Sequence, residues 1–493
     1  MLFNSHLFIF LFLPTTLLIF ILLNQHHYKI SLVWLIAASL FFYAWWNPVY
    51  LMLLVASILG NYTLGQFLNH YQNQSIAKLS LIFGLTANLA LLAYYKYANF
   101  FVDNVNVLLG TGYDLEMILL PLAISFFTFQ QIAYLVDSYR GETQQYSFLH
   151  YTLFVTFFPQ LIAGPIVYHR EMLPQFNRTN TLFHHNHLEN LNVGLTLFVI
   201  GLFKKVVLAD NIALFATPVF DAAEQGTALG FFEAWQGTLA YTLQLYFDFS
   251  GYSDMAVGLA RLFGIVLPIN FYSPYKASNI IAFWHRWHIT LSRFLRDYLY
   301  IPLGGNRKGV PRRFFNLMFT MFLGGLWHGA GWTFVLWGLL HGVYLVINQL
   351  WQTMCQRLGI DKMRHRFGWR FLATGLTFIA ISIAWVLFRA ESLEGAIVIY
   401  HGLISFESAE ISLLNLQAWI EIGLLLAIVW IMPNTYQIMI SFKPVLLTYQ
   451  KMKIQPTWLQ WRPTRKWAAT YGVMAALAIL SLTRVSEFLY FQF

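Results

Sequence analysis

Charge is the scarcest property of this 493-residue chain: Asp, Glu, Lys and Arg together supply 10% of it, against about 25% in soluble domains. A water-soluble fold with 58% hydrophobic residues and so few charges would expose large apolar patches. Cysteine is almost missing. The single Cys355 excludes an intrachain disulfide framework and a cysteine-based metal cluster, and no other ligand set at metal spacing stands out, so no metal is expected. Long linkers, low-complexity tracts and solenoid repeats are missing too. What remains is apolar sequence, with 18% aromatics and a mean hydropathy of +0.56. The chain reads as an all-α polytopic membrane protein. Its net charge of +9 calls for no nucleic acid, because Lys and Arg concentrate in cytoplasmic loops of membrane proteins.

A crossing helix needs roughly 20 apolar residues, which predicts about 11 to 14 membrane segments here, some short, broken or re-entrant. Phe231–Phe247 and Ser250–Phe263 read as separate segments around a polar knot. Three runs are strongly basic: 285–313, 357–370 and 443–466. All three are expected in the cytoplasm, which puts the acidic loop after Arg389 and the C-terminal tail 484–493 outside. The whole of 1–493 is expected to form one transmembrane domain. The stretch 276–300 differs from the spans in being amphipathic. At 100° per residue, Trp284, Trp287, His288, Leu291, Leu295, Tyr298 and Leu299 share a face, with Arg286 and Arg293 opposite. It is expected to be a helix at the cytoplasmic interface with its aromatic face toward the bundle.

Polar residues inside apolar spans are costly and mark candidate sites. His328 stands in Gly324-Gly-Leu-Trp-His-Gly329, at the deep end of a segment entering from the basic side. The alternative is a packed, hydrogen-bonded imidazole, but glycines on both sides suggest room for a ligand. His288 sits in the middle of the apolar stripe and is a candidate acid, base or orienter, or else a satisfied core histidine. Two inward histidines 40 residues apart in sequence suit proton transfer at a carbonyl. Asp248, Ser250, Tyr252, Ser253 and Asp254 form the polar knot, which could orient a catalytic group but is read first as a satisfied helix junction. Gly304-Gly-Asn-Arg-Lys308 is a turn whose bases suit a donor phosphate or simply mark the inner face. His341 and Cys355 read as structural, and Gly164-Pro165 as the end of a broken helix.

These residues, with Phe42-Tyr-Ala-Trp-Trp46, Tyr95-Lys-Tyr-Ala-Asn99, Leu161-Ile-Ala-Gly-Pro165, Gln244-Leu-Tyr-Phe-Asp-Phe-Ser-Gly-Tyr-Ser-Asp254, Phe283-Trp-His-Arg-Trp-His288 and Leu295-Arg-Asp-Tyr-Leu-Tyr300, resemble the membrane-bound O-acyltransferases almost end to end, most closely the branch that acetylates alginate. The resemblance implies a ring of helices around a tunnel through a thinned bacterial inner membrane. It implies that His328 is the catalytic histidine and His288 the second, more variable one. His285 stands where relatives often carry Arg, off the inward face. It further implies acetyl-CoA as a cytoplasmic donor substrate, with no tightly bound cofactor, a periplasmic SGNH-type partner protein, and a polysaccharide acceptor, alginate first, with cellulose or peptidoglycan as alternatives.

On this reading the donor's phosphates meet Arg286, Arg293, Arg307 and Lys308, His328 acts as general base, and His288 orients the thioester or stabilises the oxyanion. The tail Phe488-Leu-Tyr-Phe-Gln-Phe493 is read either as an aromatic anchor or as a plug whose Tyr490 relays the acyl group, since a phenol of pKa about 10 needs a base to become a nucleophile. Its motif is similar to the Phe-x-Tyr-Phe tail of the small subunit in teichoic-acid D-alanylation. A transporter or a non-catalytic scaffold are the rival readings. The chain lacks the matched, interrupted halves of a transporter, and a scaffold needs no histidine pair.

Overall fold

The computed structural model describes residues 1–143, 146–359, 367–405, 413–447 and 454–483. Apart from one isolated bridge between Pro268 and Leu446, the regular structure among these residues is helical. Among the described residues, six helices are long and apolar enough to cross a membrane: Phe8–His26, Val49–His70, Ser75–Leu109, Asn186–Glu224, Trp332–Arg357 and Gly368–Arg389. Tyr28–Ala44, Leu393–Ile404 and Leu416–Ile431 are shorter apolar helices. Outward-facing Leu, Ile and Phe residues such as Phe83, Phe371 and Leu480 are exposed, the pattern of a surface solvated by lipid rather than water. The protein is a multi-pass, all-α membrane protein.

The helix Phe231–Leu262 is the axis of the bundle. It packs against His169–Phe203, Asp210–Glu224, Phe367–Arg389 and Leu393–Ile404, and nearly every residue from Ala234 to Leu262 is buried. The sequence pattern splits it at the polar knot; the structure keeps it continuous. Its carboxylates find cations on the neighbouring helix, where the wide π-helical turn Lys204–Ala209 presents two consecutive lysines. Lys205 Nζ lies 2.6 Å from Asp248 and 2.7 Å from Asp210, and Lys204 Nζ lies 2.6 Å from Asp254. Thr435 also donates to Asp254 at 2.7 Å. A buried carboxylate so paired needs no break in the helix to reach water, so the knot is a helix junction.

Glycines let the backbones of this helix pair touch. Gly194 and Gly201 face Gly258 and Gly251, each pair seven residues apart along its own helix. A Cβ on Gly258 would stand 2.6 Å from Gly194 O, and one on Gly201 2.5 Å from Gly251 O. Backbone cannot yield as a side-chain tip does. Gly258→Ala and Gly201→Ala should therefore each cost about 1–3 kcal/mol, lowering the thermal midpoint in detergent and the amount held in the membrane. Gly472→Ala, with open space around it, should leave both unchanged.

Candidate active site

The stretch expected to be one amphipathic helix over 276–300 is broken where its chemistry lies. A short helix Ile280–Trp284 ends, His288 takes a left-handed conformation at φ 41°, ψ 53°, and a new helix runs Ile289–Leu295 before a π-helical turn Arg296–Tyr300. A non-glycine residue holds that conformation only when its surroundings enforce it. Here Asn270 does so. Its backbone carbonyl accepts from Ile289 N at 2.9 Å, and its side-chain oxygen accepts from Thr290 N at 3.3 Å and Thr290 Oγ1 at 2.9 Å. Thr290 Oγ1 in turn accepts from Ile166 N at 2.9 Å, which ties in the broken segment around Gly164-Pro165. The helical wheel nevertheless sorts the residues well: Trp284, Trp287, His288, Leu291 and Leu295 are buried and His285 is exposed.

Asn270 also sets the protonation of His288. His288 Nδ1 lies 3.2 Å from Asn270 Oδ1. Because a backbone N–H of Thr290 donates to that same atom, it is the amide oxygen, and the facing Nδ1 must carry the proton. Nε2 is left with a lone pair, fully buried and without a hydrogen-bond partner among the described residues. The neutral ring therefore offers an acceptor. The oxyanion-donor role expected for it does not suit this tautomer, and an accepting, orienting role does.

His328 ends the helix Gly309–His328, about 30 Å from its basic start. Its ring centroid is 6.5 Å from that of His288, and Trp327, Trp337 and Phe388 enclose it at 4.9, 5.1 and 5.0 Å. Among the described residues, none hydrogen-bonds its ring. The packed, hydrogen-bonded alternative is thus not what is seen. His288 is 0% exposed and His328 8%, because His328 lines a cavity of about 320 Å³ with Trp46, Lys96, Ser125, Phe126 and Trp327. The glycines around it do not make that room. Gly325 packs against Gly338 and Phe334 O of the returning helix Trp332–Arg357, and Gly329 against the Phe334 ring; they serve the close antiparallel hairpin.

Lys96 is a site residue that the sequence analysis misses. Its Nζ donates to Trp327 O, and to His328 O at 3.0 Å, while the adjacent Tyr97 OH donates to Leu326 O at 2.7 Å. The signal is available: a charged residue inside the apolar 35-residue helix Ser75–Leu109 is a site candidate on cost alone.

The four bases expected at donor phosphates have three different settings. Arg307 and Lys308 are exposed on the glycine turn, where Gly304 and Gly305 take φ of 108° and 51°. Arg286 is half-buried, within electrostatic range of Arg370 and Lys276. Arg370, with Asn279, Asn348, Trp351 and Trp369, lines a cavity of about 540 Å³ at the basic end of the hairpin. Arg293 departs from its expected open face: it is buried, forms a two-pronged ion pair with Glu171 and lies 4.0 Å over the Tyr168 ring. The helix Ile289–Leu295 is buried at every residue but Ser292, so its side opposite the aromatic stripe meets protein as well. His341 sits between that cavity and His328, 4.9 Å from Trp337 and 5.1 Å from Trp284. Both its ring nitrogens and the two indole N–H groups lack hydrogen-bond partners among the described residues. Tyr490 and the tail 484–493 lie outside the described residues.

Comparison with known proteins places the chain in a family. The model of MBOAT, the membrane-bound O-acyltransferase family, matches residues 113–389, which include Asn270, His288 and His328. The peptidoglycan O-acetyltransferase of Helicobacter pylori is 46% identical over 446 residues, 85% of this chain and 82% of the relative. The "Probable alginate O-acetylase AlgI" of Pseudomonas putida is 42% identical over 426 residues, 84% of this chain and 82% of the relative. The teichoic acid D-alanyltransferase of Bacillus subtilis is 27% identical over 274 residues, 54% of this chain and 65% of the relative. With a family model over more than half its length and relatives above 40% identity over most of it, this chain belongs to the membrane-bound O-acyltransferase family.

Proposed function

We propose that this chain carries acetyl groups from a cytoplasmic thioester, acetyl-CoA, to the hydroxyls of a carbohydrate polymer outside a bacterial inner membrane. The observation that carries the chemistry is the histidine pair: two rings 6.5 Å apart, one fixed as an acceptor by Asn270 and the other at the wall of a cavity. The direction of transfer rests on charge. The basic turn before Gly309, Arg357 and Arg370 gather at one end of the helical hairpin, the end read as cytoplasmic, and His328 stands at the other. The acetyl group and the polymer rest on the names of the relatives.

In this reading His328 takes the proton of the acceptor hydroxyl as its oxygen attacks the thioester carbonyl. The carbonyl oxygen becomes an oxyanion. When the C–S bond breaks, the thiolate recovers the proton from the imidazolium, and the ester leaves with the acceptor. The ring spacing allows one hydroxyl or water between the histidines, with hydrogen bonds of about 2.8 Å. Through it His288 Nε2 receives the second N–H of the imidazolium, the orienting role that a carboxylate or amide plays behind other catalytic histidines. The unpartnered polar atoms of His341, Trp284 and Trp337 support a path for a polar donor arm, since buried groups of this kind are rarely left unpaired. Arg286 and Arg370 suit its phosphates, and a periplasmic SGNH-type partner suits delivery to the polymer.

His328→Ala should abolish alkali-labile acetate on the polymer while protein in the membrane stays normal; near-normal acetate would sink the reading. His288→Ala should be severe but incomplete. Both the isolated sacculus and the secreted polysaccharide need assay, because the relatives named for peptidoglycan and for alginate are similar to this chain at 46% and 42%.

Asn270→Ala frees the His288 ring to take either tautomer. Acetylation per amount of protein held in the membrane should fall about tenfold or more, and unchanged acetylation would remove the orienting role. Tyr490→Phe tests the tail as an acyl relay: it keeps the ring and loses only the hydroxyl. Loss of polymer acetate is expected, with an acetyl ester on wild-type Tyr490 when the partner is absent; wild-type acetate in Tyr490→Phe leaves the tail as an anchor.

A further inference from the structure

The proposed reaction leaves one charge without a home. The tetrahedral intermediate carries an oxyanion, and stabilising such a charge is usually the largest single contribution to acyl transfer. His288 is held as an acceptor by Asn270, and the imidazolium of His328 is engaged with the acceptor proton. A hydrogen-bond donor must come from elsewhere. We infer that Lys96 is that donor, and that the cavity it shares with His328 is where the acyl carbon is attacked. This rests on the acyl-transfer reading above.

Three observations converge on Lys96. First, it lines the same cavity of about 320 Å³ as His328, among mostly apolar walls that include Trp46, Leu122, Phe126 and Ile162. Low polarity around a donor strengthens what it gives to a developing charge. Second, its position is fixed. Two of the three ammonium N–H bonds are spent on Trp327 O and His328 O, and the ammonium stands 5.8 Å from the Trp327 ring centroid. The third N–H is left over. Third, the anchoring carbonyls belong to the residue that supplies the base and to its neighbour, so donor and base move as one unit. An ammonium needed only to cap the end of the helix Gly309–His328 would be an expensive choice inside a membrane, since Tyr97 OH already caps Leu326 O at the same end.

In the attacking step the acceptor oxygen forms a bond to the acyl carbon while His328 takes its proton. The carbonyl π pair moves onto oxygen and is met by the third N–H of Lys96. Its return expels the thiolate, which is protonated by His328. Lys96 keeps its own protons throughout, and nothing is oxidised or reduced.

The test is turnover in inverted membrane vesicles from cells carrying the whole acetylation system, supplied with labelled acetyl-CoA and read as alkali-labile label on polymer. Lys96→Met should lower kcat by about 10²–10³-fold and move the KM for acetyl-CoA by less than about threefold, because the lost interaction exists only in the transition state. Lys96→Gln keeps amide N–H groups for the two carbonyls and loses the charge and the third donor. It guards against a Lys96→Met protein that does not accumulate, and it should also be slow at normal protein level. Lys96→Ala should regain activity with added ethylamine, in a concentration-dependent way. Tyr97→Phe removes a neighbouring cap but nothing in the cavity, and should lose less than about tenfold. Wild-type kcat in Lys96→Met or Lys96→Gln would overturn the inference. So would a loss in Tyr97→Phe as large as that in Lys96→Met, which would make Lys96 a cap alone. Near-normal acetate in His328→Ala would instead overturn the acyl-transfer reading itself, so the two failures are distinguishable.

Discussion

The side chain of Asn270 is the point on which the site depends. In a membrane-embedded core every polar group must find its partner inside the protein, and this one amide satisfies several at once. Its oxygen collects Thr290 N, Thr290 Oγ1 and His288 Nδ1, and its nitrogen donates to Ser253 Oγ at 3.3 Å. Through Ser253 it is anchored on the central helix Phe231–Leu262, and through Thr290 it holds the broken backbone at Ile166. The left-handed turn at His288 and the lone pair on its Nε2 both result. Removing a single acceptor here disturbs three elements, because buried networks of this sort are satisfied together or not at all.

The same constraint explains the lysines. Lys204 and Lys205 neutralise Asp254 and Asp248 on the central helix, and Lys96 binds the last carbonyls of the helix that carries His328. In each case a cation inside the bundle joins two helices, beside further polar ties such as Tyr97 OH to Leu326 O and Arg261 to Glu189. Lipid gives apolar contacts little preference over lipid itself, so packing of small residues and polar bonds must supply specificity. The glycine pairs Gly194–Gly258 and Gly201–Gly251 supply the packing. The resulting rigidity suits the proposed reaction, which asks two rings and one ammonium to keep their relative positions.

The family's fold class is legible in the sequence because composition alone forbids a soluble fold, and the site histidines are legible because polar residues are conspicuous against an apolar background. The helical wheel over 276–300 places Trp284, Trp287, His288, Leu291 and Leu295 on the buried side even though the helix it assumes is interrupted at His288. Arg293 is the exception: it lies in the helix after His288, buried at every residue but Ser292, and pairs with Glu171. The polar knot around Asp248 reads as a boundary between spans because its partners, Lys204 and Lys205, lie far away in sequence, and no local pattern announces them. Glycines beside His328 suggest space for a ligand; only the position of Gly338 and Phe334 on the returning helix shows that they serve close packing.

The sequence by itself determined the solvent and the helical class and singled out the two histidines as candidates, because each of these depends on residue type and local spacing. Tertiary structure decided their chemistry. Which nitrogen of His288 holds the proton depends on an amide 18 residues earlier, and what caps the helix end at His328 depends on a lysine 232 residues earlier. Hydrogen-bond partnership across such separations is a property of how helices are placed in space, and one-dimensional periodicity carries no record of it.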